Sequence, residues 1–263
     1  MHRDFLHYVR DVISYYTPTI KSRQAGLPAN WHAHVFGRPA MQRYFGHFVA
    51  NIFGLDFSLV RDNPGERRFA ASIDRERHFS YSIITLNYDR ILENFAAFIN
   101  HNYQVTDDII FNTQFDQGAE NNKPALAKLH GCVEGGVIIP PTWAKGTHRG
   151  IAPVWKKAFE ILEESNQIRF IGYSMPVGDA YIKYLLKSAV INAQNLKKID
   201  VLCLDPYGDV KNRYESFINF GGLRFKSADT RSYLELVHAK SRLHDERLSI
   251  SGLEGAHDEF MAA

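Results

Sequence analysis

Phe5, Leu6, Val9, Val12 and Ile13 recur at helical intervals, which predicts an amphipathic helix over residues 3–16. A stretch rich in proline and glycine, residues 17–39, breaks the pattern. Residues 40–57, AMQRYFGHFVANIFGLDF, read as a second helix, and SLVRDNPGERR at 58–68 reads as a charged loop. The first 78 residues are therefore expected to form a helical segment, rich in aromatics, that packs on or is inserted in the domain that follows. From about residue 80 the period changes. Short apolar runs at 81–89, 125–131, 136–141, 167–174, 198–205 and 223–227 alternate with helical patterns at 90–103, 154–165, 179–193, 209–220 and 230–243. Strands alternating with helices predict an α/β fold, a Rossmann-like, doubly wound parallel sheet, over residues 79–245. The strand runs have few polar interruptions, as strands covered on both faces require. Residues 246–263 read as a weakly ordered tail.

In an open sheet of this kind ligands gather at the carboxyl ends of the strands. There the sequence turns polar. IITLNYD ends in Thr85, Asn87 and Asp89; LAKLHG ends in His130 and Gly131; FIGYS ends in Gly172, Tyr173 and Ser174, with Asp179 opening the next helix; VLCLD ends in Asp205. Asn and Asp also cap helices, so Asn87 and Asp89 have a second, structural reading. Four successive strand ends of this character point together to a cleft for a polar ligand.

The segments TLNYDRILE, KLHG and FIGYSMPVGDAYI, in this order, resemble the sirtuin-like NAD-consuming domains of bacterial proteins, and IIPPTWAKG followed by VWKKAFEIL adds to the likeness. The resemblance covers residues 80 to 228 or so. It implies a Rossmann-like sheet that binds NAD and a hydrolase that releases nicotinamide and ADP-ribose, of the kind found in antiphage defence. By the same resemblance Asn87 holds the attacking water and the nicotinamide ribose. His130 contacts the ribose hydroxyls and acts as base. Asp89 orients the loop that bears Asn87. Thr85, Gly131, Gly172, Tyr173, Ser174, Asp179 and Asp205 line the nucleotide site, Gly172 and Ser174 against phosphates and ribose, Asp205 near the adenosine ribose. In one respect the sequence departs from the family: no Gly-Ala-Gly-x-Ser turn stands ahead of residue 85, and RQAGLPA at 23–29 is the nearest candidate. That departure supports an alternative, a catalytically silent module that senses an NAD-derived nucleotide or scaffolds an assembly. A third reading is a protein deacylase or ADP-ribosyltransferase.

The chemistry is consistent with these residues. Nicotinamide leaves NAD as a neutral molecule from a cationic ring, so no general acid is required. The transition state is oxocarbenium-like, and an Asn that positions water together with a His that accepts its proton are sufficient equipment.

Composition narrows the rest. Two cysteines, Cys132 and Cys203, cannot build a four-cysteine zinc module, so no zinc or other metal is expected. Neither forms a disulfide framework, and no apolar run approaches the roughly 18 residues of a membrane span, so a cytoplasmic protein without membrane contact is expected. Cys132 near His130 lacks the paired base and orienter of a thiol nucleophile. The net charge of +2 and pI of about 8.4 give no case for direct nucleic-acid binding. The expected partners are NAD or ADP-ribose, further copies of the chain in a homo-oligomer, and a partner defence protein of ATPase or nucleic-acid-guided type.

Overall fold

The computed structural model describes residues 2–20, 29–63, 66–74, 76, 79–115, 123–134, 137–139 and 150–263. The expected IIPPTWAKG segment and the RQAGLPA stretch lie almost wholly outside them. The α/β expectation holds. Strands β8 (Gln167–Ile171), β9 (Lys198–Leu202) and β10 (Leu223–Lys226) form a parallel sheet with β9 at its centre, and β3 (Ile83–Thr85) pairs in parallel with β5 (Leu126–Lys128). Helices cover both faces. On one face α4 (Ala152–Glu164), α5 (Ala180–Asn192) and α6 (Asp209–Phe217) bury Trp155, Ala158, Leu186 and Tyr214 against Ile168, Ile199 and Val201. On the other, α2 (Ala40–Phe53), α3 (Ile91–Asn102), α7 (Thr230–Ala239) and α8 (Leu253–Ala262) share a core with Leu126 and Leu202. Among the described residues no helix is long and apolar enough to cross a membrane.

The amino-terminal part is less helical than its sequence suggests. Helix α1 (His2–Tyr16) forms as expected, and a short 3₁₀ turn spans Trp31–His34. Helix α2 stops at Phe53 because Gly54 takes a left-handed φ of 67° and its N–H closes the last turn on the carbonyls of Ala50 and Asn51. The stretch expected as a charged loop is instead part of two paired strands, β1 (Leu55–Asn63) and β2 (Glu66–Ile73), with Asn63 opposite Glu66. Phe57, Leu59, Phe69 and Ala71 alternate into the core, a period of two that the preceding helical period masks in the sequence. Gly46 is what lets α2 sit on this layer: a β-carbon there would stand 2.2 Å from the Phe36 ring.

Residues 246–263 are not a loose tail. The helix expected to run to residue 243 ends at Ala239. Strands β11 (Arg242–His244) and β12 (Arg247–Ser249) follow, and β12 pairs with β1, giving the order β11-β12-β1-β2-β4 with β4 (Gln104–Val105) at the far edge. Helix α8 then places Glu254, His257 and Asp258 over the parallel sheet, one turn of helix apart as residues i, i+3 and i+4 must be. The reason lies in Asp200, a carboxylate at 1% exposure in the middle of β9. A buried charge persists only when donors surround it. Arg224 Nε and Nη2 donate to its two oxygens at 2.6 and 2.8 Å, Gln167 Nε2 at 2.7 Å, and His257 Nε2 lies at 3.0 Å. Burial alone would raise the Asp200 pKa; the hydrogen bonds from Arg224, His257 and Gln167 outweigh it and hold the carboxyl well below the usual range. Glu254 joins Arg169 of β8 at 2.5 Å and accepts from the Tyr81 hydroxyl, ahead of β3, at 2.7 Å.

Two outcomes follow. Arg224→Met leaves the Asp200 carboxylate buried with its strongest donor gone and is expected to cost about 3–5 kcal/mol in urea denaturation. Lys198→Ala, which removes only the rim pair with Asp258 at 3.4 Å, should cost under about 1 kcal/mol. The second outcome concerns His47, 2% exposed in α2, whose imidazole pKa burial, then the neighbouring His238 and Arg43, press down to about 3. Between that value and the ordinary ~6.5 of an unfolded His the unfolded chain binds a proton that the native one does not, so stability falls as pH falls through this window. Stability at pH 5 should lie about 2 kcal/mol below that at pH 7.5, and His47→Leu should flatten the difference.

Candidate active site at the strand ends

The parallel register of β3 and β5 sets Ile83 opposite Leu126 and Thr85 opposite Lys128. Asn87 and His130 each stand two residues further on, past the carboxyl ends of these strands. Local bonds fix each turn. Thr85 Oγ1 accepts from the Asn87 N–H at 3.1 Å and folds the chain back at the strand end. Asp89 Oδ1 accepts from the Ile91 N–H at 3.0 Å and so opens α3, the structural role that the sequence left open for it. Asn87 itself is exposed. His130 is 6% exposed, its ring centre 5.6 Å from that of Tyr88, and Gly131 after it takes φ 88°, a left-handed bend that a β-carbon would oppose. Main-chain bonds from Leu129 to Thr85 at 3.0 Å and from Val133 to Tyr88 at 3.1 Å stitch the two turns together.

The turn after β8 faces them. Gly172 takes φ 74° while its N–H bonds to the Leu202 carbonyl at 2.7 Å. The Tyr173 hydroxyl donates to Asp179 at 3.1 Å, and burial, then the Asp179 charge, push that phenol above its ordinary pKa. The same two causes raise Tyr88, so the Asp179 carboxylate acts on side chains from both turns. Asp179 caps the start of α5 through its carbonyl, which accepts from the Lys183 N–H at 3.3 Å, while its side chain accepts from the Tyr173 hydroxyl and makes no cap bond. Ser174 offers its carbonyl to Arg213 Nε at 3.2 Å. Met175, fully buried, holds a left-handed φ of 49°, a conformation that costs a residue with a β-carbon about 1–2 kcal/mol.

Thr85, Asn87, Gly172 and Tyr173 line one cavity of about 290 Å³ between β3 and β8. His130, Gly131, Ser174, Asp179 and Asp205 lie outside that lining. Asp205 sits at the carboxyl end of β9, as expected, but its carboxylate is turned into its own loop. Burial would raise its pKa, and backbone N–H groups of Lys211, Val210 and Gly208 hold it down instead, the Lys211 bond measuring 2.9 Å.

Sequence reasoning missed Lys128. It is 8% exposed in β5, its ammonium bonded to the Asp89 carbonyl and, at 2.7 Å, to Glu93 of α3. A lysine inside an apolar run was the available signal, since buried lysines are rare without a partner. Among the described residues no cluster of His, Cys, Asp and Glu is grouped to hold a metal. A sequence model of one family, the SIR2-like domain, matches residues 81–225 of this chain. Neither a curated protein nor a solved structure matched it.

Proposed function

Since this chain belongs to the SIR2-like domain family, whose domains use NAD as substrate, we propose that it is an NAD hydrolase, releasing nicotinamide and ADP-ribose. The observation that carries the reading is the pairing of Thr85 with Lys128 at the ends of β3 and β5, from which Asn87 and His130 each stand two residues on. An amide and an imidazole leave the carboxyl edge together, held by turns that are bonded to each other. Asn87 orients a water at the anomeric carbon without competing for its proton. His130 contacts the ribose hydroxyls and takes the proton as the water adds. The C–N bond to nicotinamide breaks with its electrons going to the pyridinium ring. Asp89 and Lys128 hold the loop that aims Asn87. Thr85, Gly131, Gly172, Tyr173, Ser174 and Asp179 shape the rest of the nucleotide site.

A second reading, a silent module that binds an NAD-derived nucleotide, is favoured by one observation: the Asp205 carboxylate is occupied by its own loop. In either case the setting proposed is bacterial antiphage defence, with a partner defence protein and in a homo-oligomer. The aromatic face of α1 supports the last point: Tyr8, Tyr15 and Tyr16 are 66, 82 and 75% exposed. A clean monomer by light scattering at micromolar concentration would remove the oligomer from the proposal.

The main test is NAD consumption by the purified chain, read as nicotinamide and ADP-ribose by chromatography. Asn87→Ala and His130→Ala should each lower turnover roughly 10²- to 10⁴-fold with circular dichroism unchanged. Turnover unaffected by both substitutions sinks the mechanism. ADP-ribose binding without any NAD consumption selects the silent module.

A further inference from the structure

Helix α1 carries one phrase twice. Residues 3–9, RDFLHYV, and residues 10–16, RDVISYY, share Arg-Asp, two apolar residues, a polar residue and then Tyr, at an interval of seven. Seven is the period of a helix that runs along another helix, because it keeps one face turned to one neighbour. Among the described residues no α1 side chain belongs to either buried core or packs against one. Leu6, Val9, Val12 and Ile13 are half-buried, while Phe5, Tyr8, Tyr15 and Tyr16 are 57, 66, 82 and 75% exposed. Tyr15 and Tyr16 meet edge to face, 5.0 Å between ring centres, and present one aromatic surface.

Phe5, Tyr8, Val12 and Tyr15 stand at i, i+3, i+7 and i+10, the spacing of a single seam. Asp4 and Asp11 flank it on one side, Val9 and Tyr16 on the other. Four aromatic rings at these exposures present roughly 600 Å² of surface. That is large for a patch that faces only water. Two such faces brought together would bury on the order of 1,200 Å², the lower end of specific interfaces. A 15-residue helix without a packed face is marginal in water, so burial of this seam is also what would hold α1 in shape.

We infer that α1 pairs in parallel with α1 of a second copy of this chain, through the seam of Phe5, Tyr8, Val12 and Tyr15. This gives the homo-oligomer proposed above its interface and its direction, and rests on that part of the proposal, not on the NAD reading. The flanking residues decide the direction. In a parallel pair each seam residue meets its own copy, and Asp11 lies beside the partner's Tyr16, whose phenol donates to the carboxylate. In an antiparallel pair with all four layers filled, Phe5 would meet Tyr15, Tyr8 would meet Val12, and Asp11 would stand against Asp11 at the twofold axis. Like rings at the Tyr8 and Tyr15 layers bury their faces and leave their hydroxyls at the wet rim. A lipid surface fits less well. Two Arg and two Asp in the repeats cancel, and a helix that lies on a membrane draws its affinity from a basic polar face.

The test is sedimentation of the full chain from low to high micromolar concentration. The mass should rise to twice that of one chain. Tyr8→Glu with Tyr15→Glu, both at exposed positions, should raise the dissociation constant at least tenfold with circular dichroism unchanged. For the direction, Val12→Cys should give a disulfide-linked dimer on mild oxidation with copper phenanthroline, and the wild-type chain, with Cys132 and Cys203, should not. A dimer that survives the double substitution overturns the pairing and leaves the homo-oligomer standing. Cross-linking that requires Val12→Cys mixed with Tyr8→Cys overturns the parallel direction. A wild-type chain that stays monomeric at high micromolar concentration removes the homo-oligomer and this pairing together. If that monomer sediments with phosphatidylcholine–phosphatidylglycerol vesicles, the face belongs to a lipid surface instead.

Discussion

A carboxylate at the centre of a sheet must be surrounded by donors, and in this protein that requirement reaches every layer. Asp200 draws Gln167 from β8, Arg224 from β10 and His257 from α8. Tyr233 of α7 is linked in through His257, 3.2 Å from its hydroxyl. Burying a charge is among the costlier things a fold can do, and hydrophobic replacements of similar volume are often at least as stable. What the charge provides is a fixed arrangement. Gln167 stands at the start of β8, and its bond to Asp200 sets the register in which β8 delivers Gly172 and Tyr173 to the carboxyl edge. Helix α8, lacking a long apolar stripe, is oriented by Glu254, His257 and Asp258, and Glu254 reaches from β8 to Tyr81 beside β3. Among the described residues the two half-sheets are thus held in relation by helix side chains and shared cores, not by strand pairing.

That division shapes the site. Half of it, Thr85 to Asp89 with His130 and Gly131, belongs to β3 and β5. The other half, Gly172 to Asp179, belongs to β8. Each half is stiff in itself, the first by main-chain bonds between its turns, the second by buried Met175 and by the Tyr214 hydroxyl on the Tyr173 carbonyl at 2.8 Å. Between them stand the Asp179 carboxylate, whose charge is felt by Tyr88 and Tyr173 alike, and the cavity.

The sheet and its polar strand ends were legible in the sequence because each is local. A short, mainly apolar run followed by Asn-Tyr-Asp or His-Gly is visible without knowing what lies beside it. The β1–β2 pair was missed because Leu55, Phe57 and Leu59 follow directly on a helical pattern, and only Gly54 marks the change. Helix α8 was missed because its reason to be ordered, Asp200, lies 57 residues away in sequence from His257. Lys128 stands out within its apolar run, but its partner Glu93, 35 residues distant, does not. The cavity between β3 and β8 could not be read from the sequence at all, since it is defined by which strands do not meet among the described residues.

The pairing of β1 with β12 has a consequence in time. Arg247 bonds to Asp56 across 191 residues of sequence. A ribosome adds roughly 5–20 residues per second, so β1 emerges some 10–40 seconds before the strand that covers it. During that interval its free edge, with Phe57 and Leu59 on one face, is open to any other strand in the vicinity. Nascent chains translated in a row on one message would offer one another just such edges, and a chaperone that shields the hairpin would matter until β12 has emerged.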